Sequence, residues 1–242
     1  KPGYDVGVAA SYGLLSITGE PTGPPSKVGV AVTDVATGML ASNGILTALL
    51  ERSITKKGQY VHCNLMETQL SLLTNVAASA LNTDKIPQRY GSAHESIVPY
   101  QSFQCGCKQN LFVGCGNDAQ FNNLRKELNL SADDDWATND DRVRNRASLI
   151  DAIKTEIASK ERSHWEHQFT LNKATFVFTP VRNVKEAFEC EQVKSRNSIL
   201  SLSHPIAGDI KLPAHPITYS SSLNDKNTPP PMLGEHTREV LT

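Results

Sequence analysis

A carboxylate, Asp34, closes the apolar run Val28-Gly29-Val30-Ala31-Val32 and precedes a long stretch, Val35 to Leu50, rich in Ala and Leu. The run suits a buried strand and the stretch after it a helix, which puts Asp34 at a strand-to-helix junction. Ligands collect at such junctions in open α/β sheets, and the amides and dipole of a helix start hold anions. An aspartate so placed can attack an activated carbonyl as a nucleophile. It can equally be a simple helix cap, a position that favours Asp. Position alone leaves both open.

Other residues invite chemistry less strongly. Cys105-Gly106-Cys107 with Cys115 brings zinc to mind, yet there is no paired CxxC and no nearby fourth ligand. No metal is therefore expected, and small apolar cysteines on two hairpin strands account for the pattern. The run Asp133-Asp134-Asp135 is a solvated loop or helix start, since Ca²⁺ needs more oxygen ligands at set spacing. His94 could donate to an acid substrate or a developing oxyanion, or serve only its loop. Gly91 could permit a mobile loop or merely shape a turn.

The elements that must position these residues come in a recognisable order. Proline and glycine at 21–25 make a loop that cannot continue a helix. Val28–Val32 and Gln59–Leu65 read as strands, with helices at Val35–Leu50 and Met66–Asn82. That alternation predicts βαβ units and a parallel sheet, so the fold class is α/β. Beyond Asp84 the composition shifts. Strands are expected at Tyr100–Cys105, Gln109–Val113 and Ala174–Phe178. Helices are expected at Asp118–Leu128, Arg146–Ala158 and Glu161–Thr170, with a further turn at Val184–Glu189. Short strands at Ile199–Leu202, Asp209–Leu212 and Ile217–Tyr219, a stiff Pro229–Pro231 linker and a helix over Gly234–Leu241 complete the chain. The organisation expected is a large α/β part over 1–90, a smaller α+β domain over 98–190 and a C-terminal segment over 198–242.

Composition removes some function classes. A net charge of -1 without a basic block argues against a nucleic-acid partner. No window approaches the 18 apolar residues of a spanning helix, so no membrane partner is expected. Five cysteines at scattered spacing do not form a secreted disulfide framework and favour a reducing, intracellular compartment. The opening Lys1-Pro2-Gly3-Tyr4-Asp5 reads as mid-protein sequence, so a preceding part is expected to be absent.

Several segments taken together carry a resemblance. Val28 to Met39 is similar to the segment around the catalytic aspartate of the class III CoA-transferases, the CaiB/BaiF family. Pro2-Gly3-Tyr4-Asp5 and Gly13 to Gly19 resemble the run before it. Arg89-Tyr90-Gly91-Ser92-Ala93-His94, leading into Ile97-Val98-Pro99-Tyr100-Gln101, resembles the loop that covers the site, in the wording of its dicarboxylate-handling mitochondrial members. Gly116 to Phe121 and Pro231 to Thr237 match in the same order.

The resemblance implies a Rossmann-like large domain, a smaller α+β domain and an interlocked homodimer. It implies a CoA-transferase acting between a short dicarboxylyl-CoA, such as succinyl-CoA, and another carboxylic acid through aspartyl anhydride and aspartyl-CoA thioester intermediates. Asp34 would be catalytic, and Tyr4, Gly38, Met39, Gly91, Ser92 and His94 would bind substrate or CoA. No cofactor would be permanently bound, coenzyme A and its acyl thioesters being substrates, and the mitochondrial matrix would be the compartment. The family's first βαβ stretch would lie outside this chain, so an inactive fragment is one alternative. The related 2-methylacyl-CoA racemases carry a His after the Gly matching Gly3. Here Tyr4 stands there, and a phenol of ordinary pKa near ~10 serves a two-base proton shuttle poorly. The family also has a Gly-Pro-bearing version of Phe176-Val-Phe-Thr-Pro-Val181, which puts any substrate contact there in doubt.

Overall fold

The computed structural model describes residues 3–221 and 227–242. Lys1 and Pro2 of the opening segment, and 222–226 within the C-terminal segment, lie outside the described residues. The chain forms two compact units, Lys1–Pro180 and Val181–Thr242.

The first unit opens with helices α1 (Asp5–Ser11), α2 (Leu14–Ile17), α3 (Val32–Thr55), α4 (Leu65–Leu72) and α5 (Thr74–Asn82). Then come β1 (Tyr100–Gln104), β2 (Asn110–Gly114), α6 (Asp118–Glu127), α7 (Asn139–Arg144), α8 (Arg146–Ala158), α9 (Arg162–Leu171) and β3 (Val177–Pro180). Its one described sheet has the order β1-β2-β3 with both pairings antiparallel. The second unit holds α10 (Val184–Glu189), α11 (Glu191–Ser195), the antiparallel hairpin of β4 (Ile199–His204) and β5 (Gly208–Pro213), and α12 (Thr237–Leu241).

The core of the first unit lies wholly beyond residue 97. Phe103, Leu111 and Val113 of the sheet pack with Leu124, Leu149, Ile153, Ile157, Trp165 and Phe169 of the helices. The Phe169 ring lies 5.5 Å from Trp165 and meets Phe176 and Phe178 edge-on at 5.0 and 5.3 Å, the offset and T-shaped contacts that aromatic quadrupoles favour. Residues 3–96 bury far less, chiefly Val8, Ala9, Thr33, Thr68 and Gln69.

Several expectations are corrected. Val28–Val32 and Gln59–Leu65 are not strands, Ile217–Tyr219 is not one either, and no parallel pairing occurs among the described residues. A strand exists only through a neighbour that takes its N–H and C=O groups, and neither apolar run in the first third has one here. The helix therefore starts earlier than expected, at Val32, so Asp34 sits inside its first turn and not at a strand end. The helix expected over Met66–Asn82 is two helices, because Thr74 takes a left-handed φ of 47°. Conversely α1 went unread, its small residues and Gly7 masking a helix of seven residues. The elements expected over 98–190 lie within a few residues of those observed and α8 coincides with its expected range, whereas α7 was not expected.

Candidate functional site

The start of α3 is built from three chain segments. Its cap residue, Ala31, offers no side-chain acceptor. The carboxylate of Asp5, at the start of α1, takes that place: Oδ1 accepts from Thr33 N at 2.8 Å and from Asp34 N at 3.3 Å. These are amides that a helix start leaves without an internal partner. Beneath them the buried Thr33 hydroxyl donates to Gln69 Oε1 of α4 at 2.7 Å. Gln69 is fully buried and its Nε2 has no partner among the described residues.

Asp34 itself is exposed, and its carboxylate makes no hydrogen bond or ion pair among the described residues. Tyr4, the cap residue of α1, is 88% exposed and immediately precedes Asp5, whose carboxylate reaches the Asp34 amide. Gly38 lies one helical turn beyond Asp34, with open space where a Cβ would stand, and Met39 is exposed beside it. A cleft of about 820 Å³ is lined by Gly3, Gly7 and Ser11 of the α1 region and by Asn64, Leu65 and Met66 at the start of α4.

Gly91, Ser92 and His94 lie elsewhere. Gly91 and His94 line a second cavity of about 620 Å³ with α2, α5 and residues 85–96, and Asp34 lines neither cavity. No described hydrogen bond joins this loop to Asp34. The structure thus gathers the predicted residues into two groups, one at the α1/α3 corner and one on the loop.

The loop is held along its length. Arg89 donates to the carbonyls of Glu20 and Gly23, and Gly91 N donates to Gly19 O at 2.9 Å. Gly91 has φ 61°, in the left-handed region that favours glycine, and a Cβ there would stand 2.9 Å from the Glu20 carboxylate, which would have to move aside. Ser92 and Ser102 share a hydroxyl contact of 2.7 Å. His94 Nδ1 accepts from Ser96 N at 3.1 Å, so the neutral ring carries its proton on Nε2. Arg146 donates to the carbonyls of His94 and Glu95, and Asn139 donates to Ser96 O while accepting from Val98 N. Arg142 is fully buried and donates to the carbonyls of Val98, Trp136 and Ala137 and to Asp118, with its guanidinium 4.4 Å from the Phe121 ring centre.

The sequence reading left out Asp5, Thr33, Gln69, Asn139 and Arg146. Asp5 could have been found as the single acidic residue among positions 1–19. The others had no signal, because their partners are backbone groups or residues tens of positions away. Among the described residues no cluster of three or more His, Cys, Asp or Glu could hold a metal, and no helix is long and apolar enough to cross a membrane.

Comparison with known proteins gives a consistent result. The model of CoA-transferase family III matches residues 1–237. The chain is 37% identical over 244 residues to a succinyl-CoA:glutarate CoA-transferase of Mus musculus, and 35% identical over 244 residues to that of Homo sapiens. Each alignment takes in 100% of this chain and 55% of the relative, so the chain spans about half the length of these curated relatives. A CAIB/BAIF family protein from Brucella suis superposes with a TM-score of 0.83 at 30% identity, covering 100% of this chain and 62% of that one.

Proposed function

Because this chain belongs to CoA-transferase family III, we propose that the protein it comes from moves coenzyme A from a short dicarboxylyl-CoA, such as succinyl-CoA, onto another dicarboxylic acid such as glutarate. Asp34 is the acyl acceptor in this reading. Its carboxylate attacks the thioester carbonyl, forming a mixed anhydride and releasing CoA thiolate. The thiolate attacks the aspartyl carbonyl, the donor acid leaves, and Asp34 becomes a CoA thioester. The acceptor acid displaces the thiolate to form a second anhydride, and the thiolate then takes the new acyl group and frees Asp34.

One observation carries the assignment. Asp34 sits at a helix start whose amides are already satisfied by Asp5, so its own carboxylate is exposed and unengaged. A carboxylate serving only as a cap would be turned onto those amides. The names of the two mammalian relatives support the donor and acceptor. Tyr4, Gly38 and Met39 flank the nucleophile and would line the acyl or CoA path. Gly91, Ser92 and His94 would close the site against water, which destroys anhydrides.

The reading extends to the whole protein. It takes 1–90 as part of a Rossmann-like large domain, 98–190 as the small domain and 198–242 as a segment returning to the large one, in an interlocked homodimer of the mitochondrial matrix. The many uncovered apolar side chains of α3 support a large further contact surface. Full-length protein incubated with succinyl-CoA and glutarate should yield glutaryl-CoA. Asp34→Ala should lower turnover on the order of 10⁴-fold or more while the circular dichroism spectrum is unchanged. Turnover retained in that variant would overturn the assignment.

A further inference from the structure

Four helices of this chain carry an acid or amide at the third helical position behind an Asn or Thr cap, and in each that side chain folds back on its own helix start. Glu67 accepts from the Asn64 side chain, Gln120 from Gly116 N, Asp141 from Thr138 N and Glu186 from Asn183 N. The cap residues Asn64, Asn117, Thr138 and Asn183 are all extended, with ψ between 158° and 170°. In α7 and α10 this is the reciprocal arrangement of a capping box, while Glu67 meets its cap's side chain and Gln120 the amide just before its cap. Asp34 occupies the same third position of α3 but does not fold back. Its cap residue, Ala31, has ψ 70° and no side-chain acceptor, and the oxygen that a cap would supply comes from Asp5, 29 residues before Asp34.

We propose that Asp5 is a positioning residue for the nucleophile: it caps α3 from another helix so that the Asp34 carboxylate stays turned outward and free to react. This rests on Asp34 being the acyl acceptor. Without the Asp5 oxygen, the amides of Thr33 and Asp34 lose their acceptor, and the acid in that same first turn is Asp34 itself. The positive end of the helix then draws the nucleophile inward. The buried hydroxyl contact from Thr33 to Gln69 fixes the same turn from below, so the Asp5 contacts hold a helix start already anchored on α4.

The test uses full-length protein with three variants. Asp5→Asn keeps an oxygen at the position of Oδ1; Asp5→Ala removes it. Because Asp5 acts through Asp34 and not on bound thioester, Asp5→Ala should lower kcat between about tenfold and a hundredfold, with KM for acyl-CoA within about threefold of the parent. Asp5→Asn should recover most of that loss. The single-turnover rate of hydroxylamine-trapped Asp34 hydroxamate, read by mass spectrometry, should follow the same order. If Asp5→Ala does not fold by circular dichroism, Asp5→Ser replaces it, with a hydroxyl that falls short of both amides and an intermediate kcat expected. Parental kcat in Asp5→Ala, or in Asp5→Ser where that replaces it, would overturn the proposal. So would equal inactivity of Asp5→Asn and the variant lacking the oxygen, because charge and not the cap would then be what matters. Asp34→Asn is the control: its activity would sink the acyl-acceptor reading itself, whereas an inactive Asp34→Asn beside a fully active Asp5→Ala sinks only the role of Asp5.

Discussion

Single side chains in this protein differ sharply in what their surroundings ask of them. Cys107 is exposed at the start of α9, where the amide of Arg162 donates to its sulfur at 3.4 Å, and this contact with that from Gln109 lowers its thiol pKa. Burial pushes Cys105 up to about 11 and Cys115 up to about 12. Cys190 is lowered by the amides of Gln192 and Val193. Because only the thiolate reacts, iodoacetamide at neutral pH should modify Cys107 and Cys190 while Cys105 and Cys115 stay intact until the chain unfolds; peptide mapping reads this directly. Arg142 presents the opposite case, a cation kept wholly out of water by three carbonyls and one carboxylate. Arg142→Met should cost about 3 kcal/mol by leaving those acceptors unpaired, measured by urea unfolding followed through Trp136 and Trp165 fluorescence. The half-exposed Asp118 side of the ion pair adds little to that figure.

At the level of elements, the helices and strands after residue 97 form because each has an apolar face and a partner for it. Phe169 shows the dependence: it is fully buried and touches Trp165, Phe176 and Phe178, which join α9 to the segment entering β3. Phe169→Ala should destabilise the first unit by about 3–5 kcal/mol in the same assay. This also explains what could be read from sequence. The periodicity of Arg146–Ala158 was enough to place α8, because Leu149, Ile150, Ile153 and Ile157 find their core within this chain. The runs at 28–32 and 59–65 have strand composition, yet composition cannot supply a neighbouring strand. Asp34 could be located by its flanking runs and by resemblance, but the agent that caps its helix could not. A hydrogen bond across 29 residues leaves no local pattern.

The whole molecule is unevenly stocked with core. Val35, Met39, Leu46 and Leu50 lie at helical spacing along α3 and are 54%, 63%, 65% and 67% exposed. With so few buried contacts, amides of α3–α5 in the 242-residue chain should exchange with deuterium well before those of β2 and α8, whose side chains form the closed core. Uniform protection across both regions would contradict this.

The 24 residues of α3 make a rod about 36 Å long, with Asp34 near one end and the bare aliphatic stripe running toward the other. Whatever settles against that stripe grips the shaft whose far end carries the Asp34 carboxylate. A partner seated there would share one rigid rod with that carboxylate, whose own turn is pinned by Asp5 and by the Thr33–Gln69 contact.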